Sequence, residues 1–184
     1  SFGDLDPRLD LREADLEAGQ EWTGWHQIEK QLWPPADFTE IDTPEERAKM
    51  ADQLVADTQD LATRVEAVTF KADQLGNGAK ELLDEVATGK VTGEEEFWSH
   101  TDLWDFQANV DGARLAYQAL RPIVLIKDKD LAATLDEEFA SLQTELDKYK
   151  TADGFQYYTQ LTPEQVKELS DSVNALGEPL SQLT

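Results

Sequence analysis

The chain contains no cysteine, which removes thiolate metal sites, disulfide frameworks and thiol nucleophiles from consideration. The compartment stays open, because secreted chains without disulfides are common. No apolar run approaches the ~18 residues that a membrane-spanning helix requires. Histidine is nearly as scarce: His26 and His100 are the only two, 74 positions apart, so no His-Glu-x-x-His pair exists for zincin-type proteolysis. There is no G-x-S-x-G elbow, no G-x-G-x-x-G turn and no Walker loop. The first residue is Ser1 and no signal segment precedes it, which reads as a processed or truncated product.

Positive charge is also in short supply. Sixteen basic residues stand against 39 acidic ones, for a net charge of −23. Because affinity for nucleic acid comes chiefly from Lys and Arg neutralising phosphates, that balance excludes nucleic acid as a partner. The same field concentrates cations, although a large acidic surface more often serves as a solubilising shell. At 184 residues the chain is expected to form a single domain, 1–184, with one well-filled core.

Apolar spacing predicts helix almost throughout. Met50, Leu54, Leu61, Val65 and Val68 recur at helical intervals after Pro44, with one unfilled step at Asp57 and a cap at Asp42 or Thr43. Leu103, Phe106, Val110, Ala113 and Tyr117 form a second stripe, Leu131 to Leu146 a third, and Val166 to Leu180 a fourth after "LTPEQ". Shorter helices are expected at about 9–18, 22–33 and 78–89. Breakers are read in "WPPADFTEIDTP", "LGNG", "TGKVTGEEE", "LRPIV" and "KTADGFQYY". The fold class is all-α, a helical bundle with up to four long helices.

Three clusters carry candidate chemistry. In "GWHQIEKQLW", His26 and Glu29 lie three residues apart and share a helical face, in a sector that Trp22 and Trp33 also occupy. An imidazole and a carboxylate so placed make half of a metal site, and bundles complete such sites with carboxylates from facing helices. The bland alternative is a buried His–Glu hydrogen bond with Lys30 answering the charge. In "GEEEFWSHTDLWDFQANVDGA", Glu94, Glu95 and Glu96 precede His100, and Asp102, Asp105 and Asn109 share a face. His100 and Asp102 also suit a helix entry, where the dipole favours negative charge, and for Asp102 that reading is favoured over ligation. In "DLDPRLDLREADLEAG", Asp4, Asp6 and Asp10 lack the glycine and terminal glutamate of a calcium loop.

These segments together resemble the carboxy-terminal domain of the EfeO-type members of the imelysin-like family, sometimes classed as metallopeptidases. "TGWHQIEKQLW" is similar to the family's G-x-H-x-x-E signature. "VTGEEEFWSHTDLWDFQANVDGA", "SFGDLDPRLDLRE" and "KYKTADGFQYYTQLT" resemble further recurring pieces, in the expected order. The resemblance implies an all-helical bundle in the bacterial periplasm or cell envelope that binds metal rather than hydrolysing substrate. It implies service to a ferrous-iron uptake system with an EfeU-like permease and an EfeB-like haem peroxidase as partners. By position, His26 and Glu29 are the signature pair, and Asp10 and Glu95 are further candidate ligands on a different side of the bundle; the reading of the residues themselves adds His100, Asp102 and Asp105 as candidates. The implied cargo is iron, ferrous or ferric, with zinc or another divalent cation as the alternative. Relatives of this type continue upstream into a helix with an E-x-x-E pair, so the domain is expected to be amino-terminally incomplete. Two rival functions stay open: a metallopeptidase, and a carbohydrate- or polymer-binding module in which Trp22, Trp25, Trp33, Trp98 and Trp104 line an open groove. The bundle reading instead buries most of those tryptophans.

Overall fold

The computed structural model describes residues 3–88, 93 and 95–183. The fold is all-α: seven α-helices among the described residues, three short 3-10 turns and one hairpin with two-residue strands. The chain divides into two compact units, Ser1–Thr69 and Phe70–Thr184.

The first unit holds α1 (Asp6–Leu9), a 3-10 turn (Glu13–Asp15), α2 (Trp25–Leu32) and α3 (Pro44–Glu66). The helix expected at about 9–18 is replaced by α1 and the turn. Pro7 sets the start, and Asp10 leaves helical geometry at φ −128° and ψ 14°. The one expected at 22–33 begins only at Trp25, because Gly24 adopts φ +93° and ψ −165°, a conformation that no helix accepts. The expected sector is therefore broken: Trp22 lies before the helix, and Trp33 ends it exposed.

α3 starts on a reciprocal capping box, with Thr43 accepting from the Glu46 amide while the Glu46 carboxylate accepts from the Thr43 amide. Its inner face packs Leu54 with Leu5 and Leu9, flanked by Ile28 and Leu61. The unfilled apolar step is explained by Asp57, which is buried and paired with Arg8 of α1, and which also accepts from Gln53 at 2.9 Å. Farther along, Arg64 grips Asp4 through two hydrogen bonds and also holds Asp60.

The second unit is a four-helix bundle of α4 (Ala72–Thr88), α5 (Asp102–Lys127), α6 (Lys129–Asp147) and α7 (Pro163–Leu180). Each helix packs on the next, and α7 closes back on α4. Its core joins Leu83, Val86, Leu103, Phe106, Val110, Tyr117, Leu135, Phe139, Leu142, Leu146, Leu169, Val173 and Leu176. The stripes expected on α5, α6 and α7 are the buried faces of those helices.

Two expected breakers lie inside helices. "LGNG" is part of α4, which begins at Ala72 rather than near 78. A Cβ on Gly76 would meet the Leu183 carbonyl oxygen at 3.0 Å, so this glycine serves close packing of the carboxy-terminal turn and not chain reversal. "LRPIV" is likewise internal to α5, which runs through Pro122 because Leu120 and Val124 are buried on either side of it. Asp128 then ends α5 and caps α6 by accepting from the amides of Asp130 and Leu131. Most of the breaker "TGKVTGEEE" lies outside the described residues, as does Glu94. "KTADGFQYY" forms the hairpin, β1 (Lys150–Thr151) against β2 (Gly154–Phe155), seated with Gly154 against the Trp104 ring.

Candidate metal site

In the first unit three candidate residues come together, and Asp10, expected on a different side of the bundle from His26 and Glu29, lies beside the histidine. The His26 imidazole is 4% exposed and lies between two carboxylates. Its Nε2 is 3.1 Å from Oδ1 of Asp10, and its Nδ1 is 3.5 Å from Oε2 of Glu29. Glu29 is buried with it at 5% exposure, whereas Asp10 is 57% exposed and forms the solvent side of the group.

Local sequence explains the geometry. α2 supplies His26 and Glu29 from its buried side at i and i+3. Asp10 arrives because the residues before α2 are stitched to the end of α1: Thr23 Oγ1 donates to the Arg8 carbonyl at 3.0 Å, and Trp22 Nε1 to the Leu11 carbonyl at 2.7 Å. Gly24 makes this approach possible, since a Cβ there would fall 2.2 Å from the Leu9 carbonyl oxygen. Sequence reasoning kept this glycine only as a letter in the motif; its position two residues before the histidine was the signal of its positioning role. Lys30 pairs with Glu13 and lies over the rings of Trp22 and Phe38.

A neutral imidazole has one N–H and donates once. With an oxygen opposite each ring nitrogen, the second contact sets lone pair against lone pair unless a proton or a cation lies between. Two donors sharing one divalent cation at bonds of about 2.1 Å stand roughly 3.0–3.4 Å apart, which the observed separations approach. An imidazole with its far nitrogen on a carboxylate is also the usual way proteins orient a metal-binding histidine. The donor set of nitrogen and carboxylate oxygen suits iron, zinc or manganese.

In the second unit, Glu95, His100, Asp102 and Asp105 occupy the approach to α5 and its first turn. Asp102 is fully buried, and its Oδ1 accepts from the amides of Glu95 at 3.1 Å and Glu96 at 3.2 Å, so it fastens the preceding loop to the helix. Its second oxygen is buried without a hydrogen-bond partner. Burial pushes its carboxyl above the ordinary range, against the lowering effect of the loop amides. His100 stands at φ +59°, uncommon for a residue with a side chain, and its carbonyl accepts from the Tyr158 amide at 2.9 Å. Asp105 is half-buried, and Asn109 donates to the Leu82 carbonyl, binding α5 to α4. No tryptophan is buried: Trp25, Trp33 and Trp104 are exposed, and Trp22 and Trp98 are half-buried.

The sequence profile of the imelysin family, labelled peptidase M75, matches residues 1–183. A lipoprotein of the EfeM/EfeO family from Staphylococcus haemolyticus is 44% identical over 186 residues, covering 100% of this chain and 63% of the relative. One of the same description from Staphylococcus aureus strain NCTC 8325 is 40% identical over 187 residues, covering 100% and 64%. The chain belongs to the imelysin family. It spans less than two thirds of the length of these relatives. No helix among the described residues is long and apolar enough to cross a membrane.

Proposed function

We propose that this chain is the metal-capturing part of a cell-envelope iron-uptake component of the EfeO type, and that it binds its cargo without hydrolysing a substrate. The observation that carries the reading is the buried His26 ring with a carboxylate oxygen opposite each nitrogen. The relatives' description as EfeM/EfeO lipoproteins supports the location and the type of system. In this reading a ferrous or ferric ion, or zinc as a competitor, exchanges hydration water for one His26 ring nitrogen and a carboxylate oxygen of the acid facing it, Asp10 or Glu29, while the other acid orients the ring. Glu95, His100, Asp102 and Asp105 are further candidate ligands. An EfeU-like permease and an EfeB-like haem peroxidase then receive the ion.

Protons compete with the metal for every ligand, so affinity falls as the pH drops. Calorimetric titration with iron, zinc and calcium at pH 7 and pH 5 tests the reading. Tight uptake of iron or zinc at pH 7 that weakens at least tenfold at pH 5 supports it, and equal uptake at both contradicts it. The family's peptidase label motivates the second reading, a metallopeptidase acting through His26 and Glu29. Cleavage of an unstructured protein that a chelator abolishes would favour it over capture.

A further inference from the structure

α5 carries two apolar faces. One is the buried stripe from Leu103 to Val124 that fills the bundle core. The other is Ala108, Gly112, Leu115, Ala119, Ile123 and Ile126, spaced four, three, four, four and three residues apart, which places them on the opposite side of the helix. Leu115 is 67% exposed and Ile126 is 85% exposed. A helix apolar all round is normally covered on both sides.

Beside this stripe runs a groove of about 320 Å³ between α4 and α5, lined by Phe70, Leu75, Ala79, Leu82 and Ala116, with Phe70 itself 55% exposed. Its floor is low because Gly78 leaves open space and Gly112 lets Leu82 lie close. From Ala108 to Ile126 the stripe extends about 27 Å, or five helical turns.

Glu81 and Glu85 stand on the rim of the groove. Neither takes part in any ion pair among the described residues, whereas Lys80 on the same helix is already paired with Asp84. An apolar trough with unanswered carboxylates along one edge selects an occupant that is apolar in the centre and basic at the margin. A second copy of this chain fits poorly, because its net charge of −23 would oppose its own approach, and an anionic lipid surface is repelled for the same reason.

We propose that the α4–α5 groove and the outer stripe of α5 dock an amphipathic helix of a partner protein, about five turns long, with Lys or Arg beside its apolar face. The groove shares no lining residue with the His26 group.

The test uses a fluorescein-labelled 18-residue helical peptide with Leu at i, i+3, i+4 and i+7 and Lys on both flanks, followed by anisotropy at physiological salt. Binding at least tenfold tighter than that of a scrambled peptide of equal charge supports the proposal. So does at least tenfold loss with Leu115→Glu, and with Glu81→Lys/Glu85→Lys a loss that a Glu-flanked peptide reverses. Equal binding of the scrambled peptide would reduce the effect to bulk charge and overturn it, as would equal binding of the Glu-flanked peptide to the unaltered chain. Sedimentation showing a dimer that Leu115→Glu dissociates would assign the face to a second copy. Loss of peptide binding in a longer form of the protein would assign it to the protein's own chain. Either result overturns the proposal.

Discussion

Replacing Gly24 by alanine puts the largest local demand on the first unit. Its φ of +93° and ψ of −165° lie in a region that is essentially reserved for glycine, which costs another residue about 1–3 kcal/mol. The new Cβ would also sit 2.2 Å from the Leu9 carbonyl oxygen and 2.8 Å from that of Arg8. Both obstacles are backbone atoms, so the α2 start must retreat from α1 by roughly an ångström, because protein interiors do not absorb such overlap. That retreat breaks the Thr23–Arg8 and Trp22–Leu11 hydrogen bonds, each worth about 1 kcal/mol. The expected loss is about 3–5 kcal/mol, among the larger single-residue effects.

Among the described residues the unit's core is small, Leu5, Leu9 and Leu54 with two partly buried neighbours. Urea unfolding followed by tryptophan fluorescence reads the effect, with hydrogen exchange across 3–33 locating it. Two other glycines calibrate the result. Gly19 has φ +85° and open space around its Cβ position, so alanine there pays only the backbone cost of about 1–2 kcal/mol. Gly78 is helical and unobstructed, so alanine there stabilises by roughly 0.5–1 kcal/mol. A Gly24→Ala loss no larger than that of Gly19→Ala would refute the claim that the glycine exists to bring α1 and α2 together.

Other consequences follow from the same geometry. Arg8→Met leaves the buried Asp57 carboxylate with Gln53 alone and should cost about 2–4 kcal/mol in urea unfolding, while Arg8→Met with Asp57→Leu should recover most of it. Tyr117, Tyr149 and Tyr158 are each pushed up to about 12, first by burial and then, for the first two, by Asp136 and Glu145. Unfolded tyrosine ionises near pH 10, so stability is full below pH 10 and is lost as the pH rises toward 12, with phenolate absorbance at 295 nm rising late and together with unfolding. Asp4 and Asp136 are held below the usual carboxylate range, chiefly by hydrogen bonds from Arg64 and Arg121. Their contribution is present above about pH 4 and fades as the pH falls through their lowered values, so Arg121→Met should flatten the acid limb of the stability curve.

The long helices were legible because their apolar faces repeat with helical period and their starts carry local chemistry, as with Thr43, Pro44 and Glu46 or Thr162, Pro163 and Gln165. What escaped was set by contacts distant in sequence. Gly76 reads as a breaker until Leu183 is found lying on it, and Pro122 reads as an end until Leu120 and Val124 are found buried around it. The gap at Asp57 looked like a missing apolar residue, because its partner Arg8 lies 49 positions away. At the candidate site, His26 and Glu29 could be paired by spacing alone. Asp10 was named through resemblance but expected on a different side of the bundle, and its place beside His26 was not legible, since the bond from Trp22 to Leu11 that brings the segments together has no periodic signature.

The most direct measurement of the account is anomalous diffraction at the iron edge from crystals soaked at pH 7. A peak bonded to a ring nitrogen of His26 and an oxygen of Asp10 or Glu29, absent in His26→Ala, is the predicted result. An iron peak elsewhere with a bare, proton-bridged His26 would contradict it.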